Sequence, residues 1–517
     1  MKRYLYFTVF VAGMTTLAAE LTASRLIGTV FGTSNLVWAS IIGLILIYLT
    51  LGYFVGGRWA DRSPNMTTMF RLLAWGAFTL GVVPYVAAPV LRLAARAVEG
   101  LQVAVLAGSF AGVLILFSVP VTLLGTVSPF AIRLSVETAD TSGRAAGTVY
   151  GVSTLGSFVG TFLPVLVTIP NLGTRNTFLV FSLFLLFVAL AGLGRAGGRR
   201  LVFAHLWMPA ALACLAALSA GRALKDNTGQ VFETESAYNY IQVQTADGMT
   251  ILRLNEGEGI HSVYSPETLD YGGPWSQFLV GPYFYKDALP TQVQRIAIVG
   301  LAAGTTARQA TAIYGQIPID GFELDPKIID VGRQFFAEDL PNLAIHIGDG
   351  RWNLEDSKHS YDIIAVDAYR PPYIPPHMTT REFYQICADH LTDRGTLAIN
   401  VGSVPGDRRL IDGLATTMAT VFPSIYVMDI PGTLNTMIFA TKQQTSATAF
   451  AGNLVRFAAR SDIHPLLLST MATTFANLKP GYQTTQVFTD DRAPIEWIVD
   501  DMVVRFALSG QLESLQP

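Results

Sequence analysis

Two cysteines among 517 residues are too few for a disulfide scaffold, and Cys214 and Cys387 stand far apart, one in an apolar segment and one in a polar half. No Cys/His spacing of the kind that holds zinc occurs, so no metal is expected. Charge is scarce as well: 14% of residues are Asp, Glu, Lys or Arg, against about 25% in a typical soluble domain. The formal net charge of −3 lacks the basic excess that a nucleic-acid partner requires. No repeat of fixed period is present. Mean hydropathy is +0.40, and the apolar excess lies almost entirely before residue 222. The chain therefore reads as a membrane half, 1–221, joined to a soluble half.

In the first half, apolar runs lie at 1–31, 36–56, 70–91, 102–127, 147–169, 176–194 and 201–220. That is about seven spans of roughly 20 residues. The first run is too long for the core of a cleaved leader and is read as a retained helix. Pro120 and Pro164 fall inside spans, where neighbouring helices can re-satisfy the freed carbonyls. Glu20 and Arg25 stand inside the first span. Ionisable groups at that depth are costly, and five residues apart they do not share a helix face. A structural role with partners elsewhere in the bundle is expected for both.

Arginines gather after the second, fourth and sixth spans, which the positive-inside rule assigns to the cytoplasm. With seven spans the soluble half would then lie outside. The chemistry read below needs a cytosolic nucleoside, so the expectation is a cytoplasmic catalytic half and one miscounted span.

Residues 222–290 read as a linker and a small β subdomain. Between Phe232 and Tyr264, alternating residues flank Asp247-Gly248, a hairpin turn signal. Residues 291–517 change rhythm. Four apolar runs, Ile296–Val299, Ile317–Phe322, Leu343–Ile347 and Ile363–Val366, alternate with helix-like segments, as in βαβ units. The first run leads into Gly300-Leu-Ala-Ala-Gly304-Thr305. The others end at Glu323, Asp349 and Asp367. In an open α/β sheet, ligands bind beyond the carboxyl ends of the strands. One glycine turn and three carboxylates are thus expected on one rim. Glycines at 300 and 304 allow a tight turn and close approach of backbone to ligand. Glu323 is placed to accept ribose hydroxyls. Ala302 stands at the second glycine position of the dinucleotide fingerprint, which argues against NAD. Asp325 before Pro326 reads as a helix N-cap.

The glycine turn, Glu323-Leu-Asp325-Pro326, Gly348-Asp349-Gly350, the strand ending at Asp367, and Glu382-Phe-Tyr384 occur in the order seen in polyamine aminopropyltransferases, the spermidine synthase family. Over about residues 230–500 the chain resembles that family, and as a whole it looks like its bacterial membrane-fused type. The resemblance implies a multi-pass α-helical membrane domain in the bacterial inner membrane, then a small β-hairpin subdomain, then a Rossmann-like, class I methyltransferase-type domain. It implies that Asp349 and Gly350 lie at the adenine and that Asp367 is the general base. His261 takes the place of a family glutamine, and Trp275 and Tyr369 are candidate pocket walls. The implied reaction displaces an amine-bearing chain from a sulfonium and releases 5′-methylthioadenosine, with no cofactor beyond the S-adenosylmethionine-type substrate. Expected partners are that adenosyl molecule and the lipid membrane; self-association stays open.

Two departures bear on the substrate. Ala303 stands where the family carries an acid for the transferred group's amine, and Arg370 where it carries a second acid. A guanidinium suits a carboxylate. The expectation is therefore that intact S-adenosylmethionine is preferred, with Arg370 catalytic beside Asp367 and the substrate closing on itself to a lactone. Alternatives are aminopropyl transfer from the decarboxylated donor to an amine, a nucleoside-gated transporter or channel, and a scaffold without activity.

Overall fold

The computed structural model describes residues 1–31, 35–97, 104–136, 138–220, 227–255, 259–368 and 374–508. The chain divides into two compact units. Met1–Ile241 with Asn255–Gly257 form the first, and Gln242–Leu254 with Glu258–Pro517 the second.

The first unit is helical. Its helices are α1 (Lys2–Phe31), α2 (Asn35–Arg62), α3 (Met66–Ala97), α4 (Ala104–Gly125), α5 (Val127–Ser135), α6 (Ser142–Leu163), α7 (Ile169–Gly197), α8 (Arg199–Phe203) and α9 (Trp207–Leu218), followed by strand β1 (Gln230–Glu235). Six stretches among the described residues are long and apolar enough to cross a membrane, not the seven expected. The difference lies in Ser142–Gly197, where α6, a wider π-type turn at Pro164–Thr168 and α7 run on as one apolar stretch of 56 residues. This stretch is interrupted where Gly173 adopts φ +80°. The chain restarts a helix at Thr174, whose backbone N–H and hydroxyl both donate to the carboxylate of Glu235. An acid at a helix N-terminus satisfies otherwise orphaned donors. Arg25 donates to the carbonyl of Ala237 and lies beside Glu235. Arg25 therefore has partners at Ala237 and Glu235, which fits the structural role expected of it, whereas Glu20 has no hydrogen bond or ion pair among the described residues. Apolar side chains of α1–α7 and α9 fill the core.

The second unit begins inside β2 (Tyr240–Ala246) and continues with β3 (Met249–Leu254) and β4 (Ile260–Tyr264). Asp247 and Gly248 between β2 and β3 both have positive φ, 50° and 73°, as the expected two-residue hairpin turn requires. β3 and β4 pair antiparallel.

A seven-stranded sheet follows, built from β5 (Ile296–Val299), β6 (Ile319–Glu323), β7 (Leu343–Ile347), β8 (Tyr361–Val366), β9 (Leu391–Gly402), β10 (Ser424–Asp429) and β11 (Asn435–Thr441). The spatial order is β10-β11-β9-β8-β5-β6-β7. β5 pairs parallel with both β6 and β8, and β11 runs antiparallel to β9 and β10. β5 and β7 coincide with apolar runs of the sequence, while β6 begins two residues later and β8 two residues earlier than the run it overlaps. Their helices are α10 (Thr305–Tyr314), α11 (Pro326–Phe335), α12 (Gly350–Asp356) and α13 (Arg381–His390); α14 (Arg409–Met418), α15 (Ala447–Ala458), α16 (Pro465–Asn477) and α17 (Ile495–Leu508) complete the unit. β5 is buried along its whole length, as a central parallel strand must be, with apolar clusters of the second unit on both its faces. The strand order reverses at β5. From there the chain builds outward first through β6 and β7, then through β8 and β9, which makes the end of β5 the topological switch point.

Candidate active site

Everything at the switch point is organised by the turn after β5. Gly300 has φ +87° and Gly304 +76°, and between them Ala302 holds φ +48° without being glycine. A Cβ on Gly300 would stand 2.5 Å from the carbonyl oxygen of Asp367. Only glycine allows the two strand ends to approach this closely. The Asp367 N–H also donates to the Val299 carbonyl at 2.8 Å, so the residue enters the site straight from the β8 ladder.

The turn is held from two sides. Ala302 N–H donates to Glu323 Oε2 at 2.9 Å, and Asp325 N–H to Glu323 Oε1 at 3.0 Å. From β4, Ser262 Oγ accepts from Ala303 N–H at 3.0 Å, and Thr305 exchanges hydrogen bonds with the backbone of Val263. Arg308, buried one helical turn on, donates to the carbonyls of Ala303, Phe336 and Val263. Asp325 caps α11 through Lys327 N–H, as its place before Pro326 suggests.

Glu323 is 8% exposed. Burial raises its carboxyl to about 7, against the pull of the backbone donors at Asp325 and Ala302. Its own carbonyl accepts from Gly348 N–H at 2.9 Å, which ties the end of β6 to the turn carrying Asp349. Asp349 caps α12 through Arg351 and Trp352 N–H, and its Oδ2 meets His377 Nε2 at 2.9 Å. The His377 hydrogen bond holds this acid below the usual carboxylate range. Gly350 is buried against Val299. Asp367 is raised to about 6 by burial, while the amide of Asn400, donating to Oδ1 at 2.9 Å, pulls the other way.

Gly300, Gly304, Glu323, Asp349, Gly350 and Asp367 therefore share one rim. His261 lies on β4 beside Ser262, its Nε2 buried and without a partner among the described residues. Burial lowers the ring to about 4, so it is neutral. Trp275 is 6% exposed and lies edge-on to Tyr271. Tyr369 and Arg370 lie outside the described residues. Sequence reasoning missed Asn400 and His377. Asn400 had a readable signal, being the polar interruption at the end of the apolar run Leu397-Ala-Ile. His377 had none, because it reaches Asp349 from 28 residues away.

A neutral-leaning carboxyl at a strand end, a glycine turn and two further carboxylates suit a nucleoside-bearing ligand and one proton transfer. Residues 288–452 match the model of the spermine/spermidine synthase domain. A probable polyamine aminopropyl transferase of Bifidobacterium longum is 30% identical over 282 residues, covering 52% of this chain and 62% of that protein. A polyamine aminopropyltransferase of Vibrio vulnificus is 27% identical over 223 residues, covering 40% of this chain and 74% of that protein. Among solved structures, a probable spermidine synthase of Corynebacterium glutamicum has TM-score 0.38 and 18% identity, covering 51% of this chain and 98% of that one. A spermidine synthase in complex with the transition state analogue AdoDATO has TM-score 0.40 and 20% identity, covering 48% and 85%.

Proposed function

We propose that this chain, which belongs through residues 288–452 to the spermine/spermidine synthase family, transfers an amine-bearing alkyl chain from an adenosyl sulfonium to an amine. The observation that carries the proposal is Asp367, a strand-end carboxyl raised to about 6 and steered by Asn400 at the switch point. A general base works best with a pKa near the working pH. The nucleophilic nitrogen attacks the carbon next to sulfur. The carbon–sulfur bond breaks, its electron pair neutralises the sulfonium, and 5′-methylthioadenosine leaves. The new carbon–nitrogen bond carries one proton too many, which Asp367 accepts and passes to solvent. Glu323 receives the ribose hydroxyls and Asp349 the adenine edge, so binding energy goes into positioning the reacting carbon. The helical unit anchors the enzyme in a membrane.

The relatives are named for aminopropyl transfer, which favours an amine acceptor over ring closure. Ring closure to a lactone rests on Ala303 and on Arg370. One incubation separates the two. Purified chain is given decarboxylated S-adenosylmethionine with a diamine, or S-adenosylmethionine alone, and products are identified by mass. 5′-Methylthioadenosine with an extended amine supports the proposal. Release from S-adenosylmethionine alone, with homoserine lactone, replaces it by cyclisation. No adenosyl product in either tube rejects both.

A further inference from the structure

Ala303 leaves the glycine turn without an acid for the donor's ammonium group. An acid stands immediately behind that turn, contributed by a different part of the chain. Glu338, three residues beyond α11, is 1% exposed, and no donor among the described residues reaches either of its carboxyl oxygens. Buried carboxyls are almost always hydrogen-bonded, and one without a partner calls for an explanation.

Two glycines make its place. A Cβ on Gly332, inside α11, would lie 1.8 Å from Glu338 Oε2. Glycine is disfavoured within a helix, and at this position it is what admits the carboxyl. Gly304 leaves the other opening: a Cβ there would lie 3.1 Å from Glu338 Cγ and 3.4 Å from both Glu338 Oε1 and Arg308 Nη1. Between the turn and the acid, therefore, no side chain of residue 304 stands in the way. The Cα of Ala303 is 3.4 Å from the same Gly332 Cβ position, so the vacated acid position and the buried acid are neighbours. The charged surroundings are Arg308, Arg333, Glu323 and Asp339. Burial raises Glu338 to about 9, with the Arg308 guanidinium opposing. An arriving ammonium would give this acid the partner it lacks and favour its ionised form, so the acid releases its proton as the donor binds.

Resting on the adenosyl-sulfonium reading above, we infer that Glu338 is the specificity residue that receives the ammonium group of the donor's transferred chain, in place of an acid at position 303. Both S-adenosylmethionine and its decarboxylated form carry that ammonium, whereas 5′-methylthioadenosine does not.

The test is calorimetry on the full chain with these three ligands. Glu338→Gln should bind 5′-methylthioadenosine within about twofold of the parent and both sulfonium donors about tenfold more weakly, the scale of one charged hydrogen bond. Gly332→Ala, whose methyl must displace Oε2, should reproduce the same selective loss. Donors bound as tightly by Glu338→Gln as by the parent overturn the inference. So does a parallel loss of all three ligands, which would make Glu338 a structural companion of Arg308. A parent protein that fails to bind 5′-methylthioadenosine overturns the adenosyl reading itself, and this inference with it.

Discussion

Asn400 donates its side-chain amide to Asp367 at 2.9 Å, from β9 to the end of the neighbouring β8. The bond orients the carboxylate and stabilises its charged form, so it lowers a pKa that burial raises. Asn400→Leu should therefore move the acidic limb of the rate profile upward from about 6, with binding of 5′-methylthioadenosine unchanged. An unmoved limb would show that Asn400 does not tune the base.

Asp367→Asn removes the proton acceptor but not the rim. Turnover should fall by about 10²–10⁴-fold, the usual contribution of a general base, while nucleoside binding persists. In the parent, rate should rise with pH and level off above about 6, because only the ionised carboxylate accepts a proton. Equal loss of binding and turnover would assign Asp367 to the fold instead.

Glu323→Ala should weaken 5′-methylthioadenosine by about 1.5–3 kcal/mol, the range for a charged hydrogen bond. Affinity in the parent should climb through about pH 7, where Glu323 ionises. Calorimetry at pH 6 and 8 checks this, and a flat affinity between them contradicts the assignment.

Glu323 and Glu338 both hold protons in the folded state at pH values where an unfolded chain would have released them. Folded pKa values above unfolded ones mean stability that is complete below about 4.5 and lost as pH rises through the folded values. The melting temperature of the ligand-free protein should thus decline from about pH 5 to about pH 9. Glu338→Gln should flatten the upper part of that decline, above about pH 7. A profile identical to the parent's would mean that Glu338 ionises normally.

A reporter at the C-terminus decides sidedness. A fluorescent protein fused after Pro517 should be bright and alkaline phosphatase at the same place inactive, because adenosyl sulfonium donors are expected inside the cell. The reverse pattern would contradict the mechanism proposed here.

Much of the second unit was legible because parallel strands buried on both faces leave unbroken apolar runs, and each run's last residue marks the rim. Glu323, Asp349 and Asp367 could be placed that way. Partners that arrive from elsewhere in the chain could not. His377 meets Asp349 across 28 residues, and Glu338, in the charged stretch Ala337-Glu338-Asp339, looks like a solvent-facing residue. Hydropathy did mark the backbone break at Gly173, since the apolar runs 147–169 and 176–194 stop on either side of Pro170-Asn-Leu-Gly-Thr-Arg175, but it could not show the partner. Glu235, written in a strand some sixty residues later, is what caps the new start.

Gly300 turns the site into something that can fail silently. A methyl group there would stand 2.5 Å from the Asp367 carbonyl oxygen, and would prise the ends of β5 and β8 apart. A descendant carrying alanine there would keep every carboxylate and every motif letter except one, and would still have lost the alignment of base and donor. In judging whether a related chain is a working enzyme or a retired one, position 300 has to be read together with the acids it serves.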